Sequence, residues 1–448
     1  MKEKNMKLTV KELADALQIS VVGNSEAVVT SVEFDSRLIQ EGSLFVPLAG
    51  ARDGHEFIGQ AIAKGAVATL WSNDLSEAPT DIAVLPVTDT TQAFQQLAVY
   101  YQQKVAPKLA AITGSNGKTT TKDMTESVLA QKFRTYKTQG NYNNDLGMPY
   151  TILHMPIDTE MLILEMGMDH AGEISFLSKL AKPDAAAITL IGEAHIEHLG
   201  SRAGIAAAKM EIVDGLKEDG LLIIPGDEPL LQPLFADLTQ QLATFGLSEG
   251  TIRGEILNET KEETTFMIDG NEYRIPVLGG YNVKNALIAY GFGRYFGLTT
   301  EQIATGLAEF KLTKNRTEWL KASNGADILS DVYNANPTAM GLVLDSFGQL
   351  DLPGRRLAVL ADMLELGPDS KAMHRQMADH LSNNYDIVYL YGEEMSALHD
   401  AVSSKVYYFE PNQKEALIAQ IKADLLPTDS IVLKGSNGMG LAEVVAKL

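Results

Sequence analysis

Residues 108–123 read KLAAITGSNGKTTTKD, and the reading of the whole chain turns on them. Leu109 to Ile112 form a short apolar run of the kind a buried parallel strand uses, and Gly114 to Gly117 interrupt it. From Thr119 onward Met124, Val128 and Phe133 recur at helical spacing. The stretch therefore reads as strand, glycine loop and helix. In such a loop the backbone N–H groups and the positive end of the helix dipole converge on a phosphate. Lys118 then reaches toward the β- and γ-phosphates and the Thr119 hydroxyl toward a Mg2+ ion. The glycines keep Cβ atoms out of the space the anion needs. A full Walker A loop has one more glycine where Ile112 stands, so this is the shorter G-x-x-G-K-T form.

The length of 448 residues allows about two to four domains. A hydrophobic fraction of 45% is that of a globular protein with real cores. The net charge of −21 argues against a nucleic-acid partner or an anionic membrane surface, because either needs a basic footprint. Any phosphate must then be held locally. With no cysteine, disulfides, thiolate metal sites and a cysteine nucleophile are excluded, and a reducing compartment fits. The opening MKEKNMKLTV carries charge without an apolar run, and no eighteen apolar residues stand together. The expectation is a cytoplasmic chain with no membrane insertion.

Residues 1–87 have a mixed pattern. LTVKELADAL reads as a short helix with Thr9 and Glu12 spaced as a capping box, Val28 to Phe34 and Leu44 to Val46 as strands, and Phe57 to Lys64 as helix. Asp35, Ser36 and Arg37 close one of those strands. A forked guanidinium there can grip a diphosphate, although such a tripeptide also suits a solvated turn. Residues 88–314 alternate strand and helix, which argues for a parallel sheet covered on both faces. Met161 to Leu164 lead directly into Glu165, a carboxylate at the strand end where ligands bind in open α/β sheets, either as a Mg2+ ligand or as a structural pair.

Ala185 to Ile191 form another apolar run, with His195 and His198 just beyond it. Ile205 to Val213 read as a helix holding Lys209 among apolar residues. That lysine either snorkels to water or sits desolvated with a lowered pKa. Thr251 to Val277 alternate with period two around the Asp269-Gly270 turn, a small meander. Asn282 and Asn285 open the helix after it; their amides suit an adenine edge or a helix cap. From 315 to 448 the alternation restarts as a second, Rossmann-like α/β domain without G-x-G-x-x-G. Arg316, Asp331, Asn334, Asn336, Asp362 and Lys434 gather at its strand ends.

TGSNGKTTTKD, KTQGNYNNDLGMP, LEMGMDHAGEI, AHIEHLGS followed by AAAKMEI, GGYNVKNAL, NRTEW, SDVYNANPTAM, ADMLELG with His374, and LKGSNGM follow in order over nearly the whole chain. This ordered set resembles that of the Mur ligases of bacterial cell-wall synthesis. The resemblance implies an α/β protein of three domains. A small UDP-sugar-binding N-terminal domain spans 1–87, a central ATP-binding P-loop domain 88–314, and a Rossmann-like C-terminal domain 315–448. It implies an ATP-dependent peptide ligase forming ADP and phosphate, with ATP and Mg2+ as cofactors. Its substrates would be UDP-N-acetylmuramoyl-tripeptide and D-alanyl-D-alanine, and the chain would act as a monomer.

By the same resemblance, Asp35, Ser36 and Arg37 hold the sugar diphosphate. Gly114, Ser115, Asn116, Gly117, Lys118, Thr119 and Thr120 wrap the ATP phosphates, and Asn282 and Asn285 hold the adenine. Arg316 and Asp331 close over the nucleotide, with Lys118 and Arg316 neutralising charge. Thr119, Glu165, His195 and Lys209 form the metal set, Lys209 as a carbamate. Asn143 and Asn144 lie near the substrate, and Asn334 and Asn336 at the dipeptide end. Leu190 and Asn437 depart from the family pattern, which often has Asn and Arg there. Folylpolyglutamate synthase, which shares the short loop, and a P-loop hydrolase that ligates nothing are the alternative readings.

Overall fold

The computed structural model describes residues 6–236, 238–313, 316–381 and 384–448. At its centre is a nine-stranded sheet. Its order runs Asn271–Ile275, Thr264–Ile268, Ile252–Glu259, Gln241–Gly246, Leu221–Pro225, Ala185–Ile188, Lys108–Thr113, Met161–Glu165 and Thr135–Lys137. All neighbours are parallel except the two pairs of the meander at one edge. The inner strands are apolar and buried on both faces, as helix-covered parallel strands must be. Leu109 and Ala111 face one core, Ala110 and Ile112 the other.

Register brings the site together. Ile112 pairs with Glu165 and Thr113 with Ile188, so the phosphate loop, Glu165 and the loop after Ile188 leave the sheet at one edge. This is the carboxyl edge where ligands of open α/β sheets bind.

A four-stranded parallel sheet, Ser31–Glu33, Ser43–Phe45, Ala66–Trp71 and Ala83–Pro86, precedes the central one. Its core is continuous with one face of the central sheet, from Leu44 and Phe94 through to Leu162 and Ile188. A six-stranded sheet follows, in the order Glu318–Lys321, Asp327–Asp331, Ser430–Lys434, Arg356–Ala361, Ile387–Tyr391 and Lys405–Phe409. It has its own cores on its two faces, joined to the central unit chiefly through Leu278, Ile196 and Tyr281. The first two units thus share a core, whereas the third is docked. Among the described residues no helix is long and apolar enough to cross a membrane.

Several local expectations need correction. Val28 to Phe34 is not one strand: Val28–Val29 pairs antiparallel with Leu8–Thr9, while Ser31–Glu33 enters the small sheet. Between them the Thr30 N–H donates to Gly42 O, fixing the break. Thr9 caps its helix by accepting from the Glu12 N–H at 3.1 Å. The Glu12 carboxylate, however, is turned to the Tyr100 hydroxyl at 2.5 Å and to Lys104, so the box is half made. The helix holding Lys209 is Arg202–Met210, not Ile205 to Val213, because a tighter turn takes over at Glu211–Gly215. The expected boundary between 314 and 315 lies outside the described residues, as does Asn315 of NRTEW.

Candidate functional site

The phosphate loop depends on two glycines. Gly114 has φ +150°, and a Cβ there would stand 1.9 Å from Thr189 Oγ1. Gly117 has φ +79°, and its Cβ would meet Asn285 Oδ1 at 2.6 Å. The loop opens the helix Lys118–Leu129, so its first N–H groups face the cleft with the helix dipole behind them. Lys118 Nζ donates to Gly114 O at 2.7 Å, folding the cation over the loop. Burial pushes its pKa down, and Arg316 adds to this, while Glu165 and Asp169 oppose it.

Across from the loop, the Thr119 hydroxyl donates to Glu165 Oε2 at 3.0 Å and Asn143 Nδ2 donates to Oε1 at 2.9 Å. Lys122 Nζ lies 3.5 Å from Oε2, and both side chains are buried. Burial works to raise the Glu165 pKa, but Lys122, Lys118 and Arg316 together outweigh it and hold the carboxyl below its ordinary range. The result is an ionised carboxylate beside a hydroxyl, two hard oxygen donors that fit Mg2+. Among the described residues no group of three or more His, Asp or Glu forms a metal cage. The chain therefore offers part of a shell, as Mg2+ sites completed by phosphate and water do.

The third unit supplies the opposite wall. The Arg316 guanidinium sits 4.1 Å from the Tyr333 ring centre. Its Nε is buried with no hydrogen-bond partner among the described residues. An unpaired buried donor of fixed positive charge, facing a phosphate loop, suits an anion. Lys434 Nζ binds Asp331 Oδ2 at 2.5 Å and Asn334 O at 3.1 Å. Asn336 Nδ2 donates to Asn116 Oδ1 of the loop itself.

Three cavities meet here. One of about 580 Å3 runs between the central and third units, past Gly117, Thr120, Asn282, Asn285, Arg316 and Asp331. Its volume and its mixed lining, more apolar than polar and with the Asn282 and Asn285 amides in it, suit a nucleoside. Asn282 and Asn285 are tied to each other at 3.1 Å, and Asn285 Oδ1 also accepts from Thr121. A second, of about 170 Å3, lies over Lys118, Thr119, Glu165, His195 and Arg316. A third, of about 530 Å3, shares Asn143, Gly167, Met168 and Asp169 with the second and extends past Asn144 to Phe176. A nucleotide tail and a second substrate can thus converge on the small middle cavity.

His195, itself at φ +62°, lies with Nδ1 2.6 Å from Glu365 Oε2 and 3.3 Å from Asp169 Oδ1. The Glu365 approach is off the line of a hydrogen bond and becomes an ion pair only when the ring is protonated. Burial lowers the His195 pKa, with Lys118 and Lys209 contributing, against Glu365 and Asp169. Lys209 is buried without an ion pair among the described residues. Burial, then Lys118, pushes its amine well down. It does not line the middle cavity.

Asp35, Ser36 and Arg37 line none of these three cavities. Arg37 is largely exposed and forks onto Asp35 at 2.7 Å, while Ser36 Oγ donates to Gln60 at 3.2 Å. Reading the sequence missed Lys122, Asp169, Glu193 and Glu365. Lys122 had a signal: one helical turn after Lys118 and Thr119, it must face the same side of the helix. The other three act across chain separations that no local pattern carries.

The three larger sheets and the cleft at their edge define a class, and the chain belongs to the Mur ligase family. "Mur ligase family, catalytic domain" matches residues 28–102, "Mur ligase middle domain" 112–293, and "Mur ligase, glutamate ligase domain" 315–437. It is 41% identical to the UDP-N-acetylmuramoyl-tripeptide--D-alanyl-D-alanine ligase of Bacillus subtilis, over 99% of this chain and 98% of that one. To the Escherichia coli enzyme of the same name it is 32% identical, covering 98% of each. A crystal structure of MurF from Acinetobacter baumannii superposes with a TM-score of 0.90 at 30% identity over 99% of both chains. The MurF ligase of Thermotoga maritima in complex with ADP superposes at 0.83 with 26% identity, over 93% of this chain and 96% of that one. The chain is accordingly an ATP-dependent ligase, as its motifs imply.

Proposed function

We propose that this chain joins D-alanyl-D-alanine to UDP-N-acetylmuramoyl-tripeptide at the expense of ATP, forming ADP and phosphate, in peptidoglycan precursor synthesis. The observation carrying this reading is the middle cavity: the phosphate loop, ionised Glu165 and Arg316, whose Nε has no hydrogen-bond partner among the described residues, surround one small space that opens toward two larger ones. Full-length likeness to ligases of that name supports the same activity.

A carboxylate cannot form an amide in water, because oxide would have to leave. In this reading the tripeptide carboxylate attacks the γ-phosphorus, the bond to the β-phosphate oxygen breaks, and an acyl phosphate and ADP result. The free amine of D-alanyl-D-alanine then adds to the carbonyl, and phosphate leaves as the amide forms. Both partners of the first step are anions, so the protein's part is positioning and charge neutralisation. Gly114 to Thr120 cradle the phosphates, Lys118 and Arg316 neutralise the transferred group, and Asn282, Asn285 and Asp331 hold the nucleoside. Asn143, Asn144, Asn334 and Asn336 orient the acyl and dipeptide substrates, and Asp35, Ser36 and Arg37 take the sugar diphosphate at the far end. Thr119, Glu165 and His195, with Lys209 as a carbamate, would hold Mg2+, which supplies Lewis-acid charge stabilisation when bound. Docking of the third unit keeps water from the acyl phosphate.

In the same reading the units divide at 87/88 and 314/315, and the chain works as a cytoplasmic monomer. The test is ADP release against a panel of UDP-muramoyl tripeptides, with and without D-alanyl-D-alanine. Release that requires both substrates supports the reading; release that ignores the dipeptide overturns it.

A further inference from the structure

The third unit has a separate core and meets the central unit through Leu278, Ile196 and Tyr281, so its orientation over the phosphate loop is left to a small set of polar contacts. We propose that Glu193 is a positioning residue for the ligase reaction, the clasp that docks the third unit and thereby sets Arg316 against the phosphate loop. This rests on the active-site reading given above.

Glu193 belongs to the central unit and its side chain is 12% exposed. Its Oε2 accepts from the Thr338 N–H at 3.0 Å and its Oε1 from the Thr338 hydroxyl at 2.9 Å. Thr338 lies in the first turn of the helix Pro337–Gln349, whose N–H groups have no partner within the helix. Asn336, from the same unit, caps one of them, on Ala339 at 2.9 Å. Another is left for a carboxylate from the neighbouring unit, placed at the positive end of the helix dipole. Undocked, that N–H has only water. The contact therefore exists only when the units are together.

Both ends of the clasp are tied to the reacting groups. On the central side, Leu190 O accepts from the Ser115 N–H at 2.8 Å and Gly192 O from Ser115 Oγ at 3.3 Å. Arg202 holds Ile191 O at 2.8 Å and Glu228 Oε2 at 2.9 Å, with its Nε 3.7 Å from Glu193. The clasp thus stands on a loop bolted to the phosphate loop. On the other side, the segment leading into Thr338 carries Tyr333, which meets Arg316, and Asn336, which meets Asn116. Glu193 lines none of the three cavities, whereas Thr338 lines the one of about 580 Å3, so Glu193 acts through Thr338 rather than on substrate.

The test uses the full chain with Glu193→Ala, Thr338→Val, both together, and Thr338→Ser as the variant that keeps the hydroxyl. The chain has no cysteine, so Glu218→Cys and Asn412→Cys, both exposed, give a clean pair of fluorescent labels on the two units. We expect Glu193→Ala and Thr338→Val each to raise KM for ATP about tenfold or more. Each should also widen the label separation measured with a non-hydrolysable ATP analogue. The double variant should be no worse than Glu193→Ala, and Thr338→Ser should behave as wild type. Wild-type KM and separation in Glu193→Ala, or effects that multiply in the double variant, would overturn the clasp. If Glu193→Ala does not fold, the label separation of the Thr338 pair without nucleotide decides the matter, because Thr338 lines the nucleoside cavity and its KM alone does not tell a clasp from a direct contact. A chain without ligase turnover whose label separation still depends on Glu193 would sink the active-site reading and leave the clasp standing.

Discussion

The Thr119 hydroxyl and the Glu165 carboxylate are 3.0 Å apart, although 46 residues separate them in the chain. Parallel register alone brings them together, because Ile112, which leads into the loop, pairs directly with Glu165. Glu165→Gln keeps the shape and the Asn143 hydrogen bond but removes the charge. We expect turnover to fall about 10²–10³-fold and to respond little to added Mg2+, and the unfolding midpoint to drop as well, because Lys122 is left buried without its counter-charge. Steady-state ADP release over a Mg2+ titration, beside a thermal melt, checks both halves.

Lys118→Ala removes the cation that bends back onto Gly114 O at 2.7 Å. No carboxylate forms an ion pair with Lys118 among the described residues, so its charge serves the ligand rather than the fold. Turnover should collapse by about two orders of magnitude or more with the circular dichroism spectrum unchanged. Wild-type-like ADP release would refute its role.

The phosphate loop was legible in the sequence because everything that makes it is local: an apolar strand, glycines at fixed offsets and a helix start. The Asn282 and Asn285 pair was legible for the same reason, as both sit in one helical turn. What the sequence hid was long-range. Lys122 reads as an ordinary polar helix position until Met161–Glu165 lies beside it and Glu165 becomes its partner. Glu365 and His195 are 170 positions apart and meet only because the third unit docks. Gln241–Gly246 was missed as a strand because its Gln241 and Leu242 end is exposed and shows no apolar run. Glu318–Lys321 is a half-buried edge strand whose pattern merges with the segment before it.

Gly114→Ala tests the loop backbone. The added Cβ would stand 1.9 Å from Thr189 Oγ1, a hydroxyl already donating to Asn116 O, so either the loop or Thr189 must shift. ADP should raise the unfolding midpoint of wild type, and that shift should disappear in this variant. Adding Thr189→Ala should restore only part of it. The clash is relieved, but a backbone at φ +150° still disfavours a side chain by about 1–3 kcal/mol. Full restoration would mean that sterics alone explain the glycine.

The base of the six-stranded sheet makes a prediction about pH. Asp429, 1% exposed, accepts from Arg355 Nη2 at 2.7 Å, Arg355 N at 3.2 Å and the Leu426 N–H at 2.8 Å. Burial raises its pKa, yet the Arg355 hydrogen bond and the backbone donors outweigh it, so the folded value lies below that of the unfolded chain. A carboxyl depressed on folding adds stability that is complete above its unfolded pKa, about 3.9, and is lost as pH falls through the folded one. Asp429→Asn should therefore cost about 1–3 kcal/mol at pH 7, with Arg355 partly solvated and the lower figures favoured. The cost should stay level down to about pH 5 and shrink below about pH 4. A chain of several units does not unfold in two states, so the readout must be local. Trp71 lies in the small sheet and Trp319 in the six-stranded one, and they are the only two tryptophans. In a Trp71→Phe background, urea unfolding followed by Trp319 emission reports the third unit together with its docking, since Lys261 of the central unit stands 4.8 Å from the centre of the Trp319 ring. A difference between the Asp429 forms that grows on acidification would show that the carboxylate is not what Arg355 stabilises.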